Sequence, residues 1–306
     1  MKICIGNKYG TWDSAKTGKG FFAQRLISEL KALKVEVTTD PKEDVDADLQ
    51  FGKHAYKPKG KSIIRMGPVH IGPGHEKSNK VKREAIQKAD DVIYQSAFGK
   101  KMCDAFIGEA SGKTTVLFNG ADPDYYNAVA GSISKGPRDF VASTREWTGQ
   151  KRLPEIVEAF RAAKIKGSKL YILGHSSKKF KGDGVHYMGN VAGSQIGAVL
   201  AAVNTLVSIV WLDCMPNSVC EALCANCNVI TTSTSGTAEI APDLLLKEKP
   251  WDFKPCDQNK PPAVDIHELS ELMKKSLEMP KPRCEHVKID RIAWQYYQFI
   301  KEVVDA

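Results

Sequence analysis

The chain has 306 residues, 42% hydrophobic and 26% charged, with no low-complexity tract; disordered and fibrous classes are excluded, and the length suits about two α/β domains. The formal net charge is +8, and Lys and Arg outnumber Asp and Glu by 22 to 16 over residues 1–135 but only by 22 to 20 over the remainder. The surplus in the first part points to an anionic acceptor or to peripheral contact with an anionic membrane surface rather than to nucleic acid, and a solvated lysine-rich face accounts for it as well.

No apolar run reaches the ~18 residues of a membrane span. The longest, 196–212, is broken by Asn204, Thr205 and Ser208 and reads as core. Met1-Lys-Ile-Cys-Ile5 reads as a buried first strand rather than a signal peptide. Eight cysteines without a secretion signal are then expected as reduced thiols. A cytoplasmic protein, soluble or peripherally membrane-associated, is the expectation.

Strand and helix signals alternate along the chain. Lys2–Ile5 reads as a strand, and Phe22, Leu26, Ile27, Leu30 and Leu33 recur at helical spacing over 21–33. Strands are expected at 35–38, 49–51, 62–65, 91–95 and 115–118, and helices at 79–88 and from a Ser96 cap to 106. Beyond Gly131-Ser-Ile-Ser-Lys-Gly-Pro137, the expected hinge, the pattern restarts. Strands are expected at 140–143, 170–173, 185–188, 206–210 and 229–232, with helices at 153–163, 196–203 and 218–226. A last helix, 290–304, is expected to pack back on the body through Trp294, Tyr297, Ile300, Lys301 and Val304. Such alternation implies two doubly wound domains of parallel sheet with helices on both faces. Their ligands bind beyond the carboxyl ends of the strands.

The densest chemistry lies between Asp213 and Glu239. A strand is expected to end just before Asp213, and Pro216-Asn217-Ser218 to start a helix whose first amides suit a phosphate. Glu221, one turn on, and Glu239, after a Ser/Thr/Gly loop, suit the hydroxyls of a ribose or sugar. An Asn-Ser helix cap is the plainer reading of the same residues.

This segment resembles the retaining family 4 glycosyltransferases. Asp213 and Glu221, with seven residues between them, fit that family's acidic pair, and Cys227-Asn-Val-Ile230 its following strand. Further landmarks fall in the family's order: Lys61–Gly67, Ala89–Ser96, Asn119-Gly-Ala-Asp122, Ser143-Thr-Arg145 with Lys151-Arg-Leu153, and Val185-His-Tyr-Met-Gly189. The resemblance covers most of the chain.

It implies a GT-B fold: two Rossmann-like domains facing each other across a cleft, with 1–135 binding the acceptor, 136–285 the nucleotide-sugar, and a C-terminal helix, 286–306, crossing back. It implies transfer of a hexose from a UDP- or GDP-sugar to a hydroxyl of a glycan, glycoprotein or lipid-linked acceptor, with retention, no metal and no cofactor. Arg145 and Lys151 would hold the donor diphosphate, with backbone amides of Asn217, Ser218 and Val219. Glu221 would bind the ribose, Asp213 the transferred sugar, and Met188 and Gly189 would lie beside the base. Gly18 and Gly20, preceding the first helix, would lie near the donor phosphates. The family's first acid is Glu, so Asp213 leaves the sugar contact open. His70 and His75, in the loop after a first-domain strand, suit a polar contact to sugar or acceptor.

Other motifs weigh less. Gly18-Lys-Gly-Phe-Phe-Ala23, with Asp40 beyond it, fits a dinucleotide fingerprint, but its strand ends near Gly6, too early for the tight turn. Gly108–Thr115 imitates a phosphate loop with three residues between its glycines, ahead of a strand, and reads as a polar turn. Cys214, Cys220, Cys224 and Cys227 fit no common zinc spacing and read as small buried thiols. The competing classes are a nucleotide-sugar-binding protein of the same fold without transfer, and a dinucleotide oxidoreductase.

Overall fold

The computed structural model describes residues 1–7, 12, 17–130 and 136–306. The chain divides into two compact units, one of residues 1–120, 253–256 and 289–306, the other of 121–252 and 257–288.

The first unit runs β1 (Lys2–Cys4), α1 (Gly18–Ala32), β2 (Glu36–Thr38), β3 (Ala47–Phe51), β4 (Lys61–Met66), α2 (Glu76–Lys88), β5 (Asp91–Tyr94), α3 (Ala97–Ile107) and β6 (Lys113–Val116). Its six strands lie in the order β2-β1-β3-β4-β5-β6, every pair parallel. β3 and β5 are buried along their whole length, as strands covered on both faces must be. Thr17 caps α1, its Oγ1 accepting the Gly20 N–H. Gly18 and Gly20 therefore form the helix's first turn rather than precede it. Phe22, Leu26 and Leu30 form its buried stripe, whereas Leu33 lies past the last turn and is 40% exposed. Ser96 caps α3 as expected, accepting from the Gly99 N–H at 2.9 Å. At the false phosphate loop, a Cβ on Gly112 would fall 1.6 Å from the Asp90 carbonyl oxygen, so the glycine serves a tight turn.

The second unit opens with α4 (Pro123–Ala130), which the sequence pattern does not announce and which packs on two later helices of this unit, 193–202 and 217–224. The unit accordingly begins at Ala121 rather than after residue 135. The hinge expected at 131–137 lies at 131–135 outside the described residues, and Gly136 and Pro137 already belong to a strand. The elements that follow are β7 (Gly136–Glu146), a 3-10 turn (Gly149–Lys151), α5 (Leu153–Ala163), β8 (Leu170–His175), β9 (Val185–Gly189), α6 (Gly193–Ala202), β10 (Val203–Val207), α7 (Asn217–Cys224), β11 (Asn228–Thr232), β12 (Leu245–Leu246) and α8 (Ile266–Ser276). The strand order is β12-β11-β10-β7-β8-β9, again parallel throughout. Leu153, Ile156, Val157 and Phe160 of α5 pack with Leu269 and Met273 of α8 and with Phe140, Ile172 and Ile230 of the sheet. Burying each such side chain contributes about 1.5–3 kcal/mol.

β10 starts and ends three residues before the expected 206–210. Asn204 and Thr205 look like a break, but inside the sheet their polarity is satisfied: Thr205 Oγ1 lies 2.7 Å from Asn204 Oδ1 and 2.9 Å from Ser276 Oγ. α8 escaped the sequence reading, although Asp265 caps it by accepting the Glu268 N–H at 3.0 Å.

The C-terminal helix α9 (Ile289–Asp305) belongs to the first unit. Its buried face is Ile292, Tyr296, Ile300 and Val303, and Trp294, expected inside, is 50% exposed. Tyr296 Oη accepts from Arg65 Nε at 2.8 Å. The buried Arg65 guanidinium also donates to Asn119 Oδ1 and stacks 4.2 Å from the Phe22 ring centre, an arrangement that holds a charge inside an apolar core.

Candidate active site

In the second sheet the chain leaves β7 towards β8 and β9, then returns to the other side of β7 with β10. The strand order reverses between β7 and β10, and in open α/β sheets the crevice beyond the carboxyl ends at such a point takes the ligand. Lys151 follows β7 and Asp213 follows β10, so the fold sets them on the two sides of that crevice.

Lys151 closes the 3-10 turn that follows β7. Its ammonium donates to Thr144 Oγ1 at 2.7 Å and to the Glu146 carbonyl oxygen. Burial holds its pKa below the ordinary lysine value, against the pull of Asp213 and Glu146. The turn is clasped to the segment after β10 by Gln150 and Trp211: the Trp211 N–H donates to Gln150 O at 3.0 Å, and Gln150 Nε2 donates to Trp211 O at 2.7 Å.

Asp213 does not directly follow a strand, because β10 ends at Val207 and 208–212 form a connecting segment with Leu212 at φ 55. Its Oδ1 accepts the Met215 N–H at 3.1 Å, and its carbonyl oxygen accepts the Gly236 N–H at 2.8 Å. Burial pushes the carboxyl up, opposed by the Met215 N–H, the Lys151 charge and the Cys214 N–H. Lys151 and Asp213 are thus electrostatic partners, each partly desolvated.

Asn217, Ser218 and Val219 form the first turn of α7, and Pro216 occupies the cap position with no side-chain cap bond. Neither Asn217 nor Ser218 is the cap. The Val219 N–H donates to the Pro216 carbonyl at 3.3 Å, and Asn217 and Ser218 open the helix at the end where the dipole favours an anion. Glu221 is half-buried one turn further on. Glu239, exposed, ends the 3-10 turn begun at Gly236. The hydroxyls of this Ser/Thr loop turn inward: Ser235 Oγ donates to Thr232 O at 3.1 Å, and Thr231 and Thr237 bond at 2.6 Å. They hold the loop rather than present hydroxyls to a ligand.

Arg145 is exposed at the carboxyl end of β7. Met188, 42% exposed, and Gly189, at φ 69, end the edge strand β9. In the first unit, Gly18 and Gly20 lie at the N-terminus of α1, and His70 lies in the loop after β4. The His70 ring stacks on His75 with centroids 4.3 Å apart. Asn79 clamps the loop, accepting the His70 N–H at 3.2 Å and donating to its carbonyl at 2.6 Å. Burial, then the Lys82 and His75 charges, hold the His70 pKa below the ordinary histidine value.

Cys214, Cys220, Cys224 and Cys227 are buried thiols. Cys224 Sγ lies 3.3 Å from Ala121 O and Cys227 Sγ 2.8 Å from Leu200 O, contacts that pack them in the core. Sequence reasoning missed Gln150, Arg152 and Glu248. Arg152 follows Lys151 at φ 55 and is 1% exposed. A glycine there signals a left-handed backbone; an arginine does not.

Residues 138–251 match the model of the family described as Glycosyl transferases group 1. No curated protein matches the sequence. Among solved structures the chain is similar to sucrose-phosphate synthase from Thermosynechococcus elongatus, at 14% identity with 99% of each chain covered and a TM-score of 0.67. It is similar also to AviGT4, a glycosyltransferase involved in avilamycin A biosynthesis, at 16% identity with 100% of this chain and 98% of that one covered and a TM-score of 0.65. A third similar structure is Anabaena Alr3699/HepE in complex with UDP-glucose, at 11% identity with 99% and 100% covered and a TM-score of 0.63. The fold of the chain is GT-B. The family match over 138–251 and that fold together support a glycosyltransferase.

Proposed function

We propose that the chain moves a hexose from a UDP- or GDP-sugar to a hydroxyl of a glycan, glycoprotein or lipid-linked acceptor, retaining the anomeric configuration and using no metal or cofactor. The observation that carries this reading is the juxtaposition of Lys151 and Asp213 at the strand-order reversal, followed closely by the α7 N-terminus. A cation, an anion-binding helix end and an acid for hydroxyls are the parts a nucleoside diphosphate-sugar needs.

Lys151 and Arg145 neutralise the leaving diphosphate with the amides of Asn217, Ser218 and Val219, and these contacts strengthen as charge develops in the transition state. Glu221 accepts from the ribose hydroxyls and Asp213 from hydroxyls of the transferred sugar. Met188 and Gly189 border the base, and Glu239 adds an acceptor at the loop after β11. The first unit, which holds Gly18, Gly20 and His70, serves the acceptor. The bond between the anomeric carbon and the leaving phosphate oxygen breaks with its electron pair on that oxygen. The acceptor hydroxyl oxygen bonds the anomeric carbon on the same face, and its proton passes to the departing phosphate. The protein supplies no covalent nucleophile in this reading.

The test is calorimetric titration with UDP, GDP and their sugars, then NMR of the product formed on a panel of hydroxyl acceptors. UDP-glucose goes first, because the HepE structure holds it. Binding by none of them sinks the donor site; an inverted product sinks the retaining mechanism. Binding with no turnover on any acceptor favours a nucleotide-sugar-binding protein, the reading that the shorter acid at Asp213 favours.

A further inference from the structure

We propose that Arg152, paired with Glu248, is a positioning residue that locks together the loops carrying Lys151, Asp213 and Gly236 and so fixes the geometry of the candidate donor site. The inference rests on the donor-site reading above. Arg152 lies at the start of α5, next to Lys151, with its side chain wholly buried. Its Nη1 donates to Ile209 O at 3.3 Å, on the segment leading to Asp213. Its Nη2 donates to Pro262 O at 3.1 Å and lies 2.6 Å from Glu248 Oε1. Glu248 in turn accepts from Thr234 Oγ1 through Oε2, while its own N–H donates to Ser233 Oγ at 3.0 Å. Two residues beyond Thr234, the Gly236 N–H holds the Asp213 carbonyl. One ion pair therefore ties the segments around residues 149–152, 208–213, 233–236 and 262.

Stability alone is a poor reason for this arrangement. Desolvating both ions offsets most of their attraction, and packed apolar side chains serve a core as well. Arg152 also adopts a left-handed backbone that strains a non-glycine residue. What the guanidinium adds is a rigid planar fork that fixes several acceptors at once. Gly149 underlines how closely the turn is seated: a Cβ there would fall 2.0 Å from Asn259 O. Neighbouring groups held this tightly keep binding groups in the productive geometry, and displacements near 1 Å cost orders of magnitude.

The experiment uses the full chain with three variants. R152M/E248Q removes both charges together, so no ion is left buried alone. R152K keeps the charge but loses the fork. L269A, in the α5–α8 core of the same unit, lowers Tm through a side chain outside residues 149–152, 209–213 and 233–236. Amide hydrogen exchange of the ligand-free proteins reads the three loops, and calorimetry reads the UDP Kd well below every Tm. Both Arg152 variants should exchange at least about tenfold faster at 149–152, 209–213 and 233–236, and bind UDP at least about tenfold more weakly. L269A should keep the wild-type Kd. The inference is overturned if the loops of R152K and R152M/E248Q exchange as in wild type, or if their Kd changes only as L269A does. If the double variant fails to fold, R152K decides by the same two measurements. Wild-type protein that binds no nucleotide defeats the donor-site reading instead, and the exchange data then stand apart from it.

Discussion

Lys151 and Asp213 face each other electrostatically from the loops after β7 and β10, and burial works against the charge on both: it lowers the pKa of the amine and raises that of the acid. Their opposite charges offset part of this cost in each case. A desolvated amine and a desolvated acid, each easing the other's charged form, are the kind of pair that binding sites assemble.

Replacing Lys151 with Ala removes the cation next to the proposed leaving phosphate. Transfer should fall by about 10²–10³ in kcat, the range found when one preorganised electrostatic contact is lost. Steady-state kinetics with a UDP-sugar reads it; an unchanged kcat removes Lys151 from the site.

The acid's length governs how far it reaches into the sugar. Asp213→Glu should alter the ratio of kcat/KM among UDP-sugars that differ at one hydroxyl, by roughly 10-fold, while Asp213→Asn lowers all of them. A donor panel that ranks identically for wild type and Asp213→Glu places the sugar elsewhere.

Stability should move the opposite way from activity. With the folded pKa of Asp213 raised, the native state binds its proton more tightly than the unfolded chain, so this stabilisation is full below ~4 and is lost as pH rises through the folded value. For Lys151, lowered in the fold, stability rises as pH climbs through its folded value towards ~10.4. Above the folded pKa of Asp213 its carboxylate is charged at a cost, and below that of Lys151 so is the ammonium. Asp213→Asn should then raise Tm by about 2–4 °C at pH 7, equivalent to ~1 kcal/mol in a chain of this size, and should lose that advantage below pH 4. Calorimetric scans from pH 3 to 8 decide it; a lowered Tm at pH 7 contradicts the desolvation argument.

In the first unit, Tyr296→Phe removes the acceptor of the buried Arg65 Nε. The loss should be about 1–3 kcal/mol by urea unfolding, the range for orphaning a buried donor. Nucleotide affinity should be unchanged, since the contact lies in the core of that unit.

Gly112→Ala should destabilise by about 1–3 kcal/mol, because its Cβ must displace the Asp90 carbonyl. Lys113→Ala, at the residue that imitates a phosphate-loop lysine, should leave UDP affinity at the wild-type value. A tenfold loss on Lys113→Ala by calorimetry instead makes this turn part of a phosphate site.

Much of the architecture was legible in the chain because buried parallel strands are short apolar runs and amphipathic helices repeat on one face. α5 at 153–163 came out with its observed bounds, as Leu153, Ile156, Val157 and Phe160 make one stripe. Local pattern misled where long-range partners settle polarity. Asn204 and Thr205 read as an interruption, but Ser276 of α8 satisfies Thr205 from 71 positions away. Trp294 was expected on one side of the last helix with Tyr297 and Ile300, but Ile292, Tyr296 and Ile300 hold the face that α9 buries.

The sequence by itself determined the alternation of strands and helices, the parallel sheets that follow from it, and a helix start within Pro216–Ser218, because each rests on periodicity or on the chemistry of neighbouring residues. Only the tertiary structure decided that the charges of Lys151 and Asp213 act on each other from loops beside a reversal of strand order, and that Arg152 reaches Glu248. Strand order and loop-to-loop ion pairs depend on which distant segments pack together, and neither a period nor a spacing along the chain encodes that.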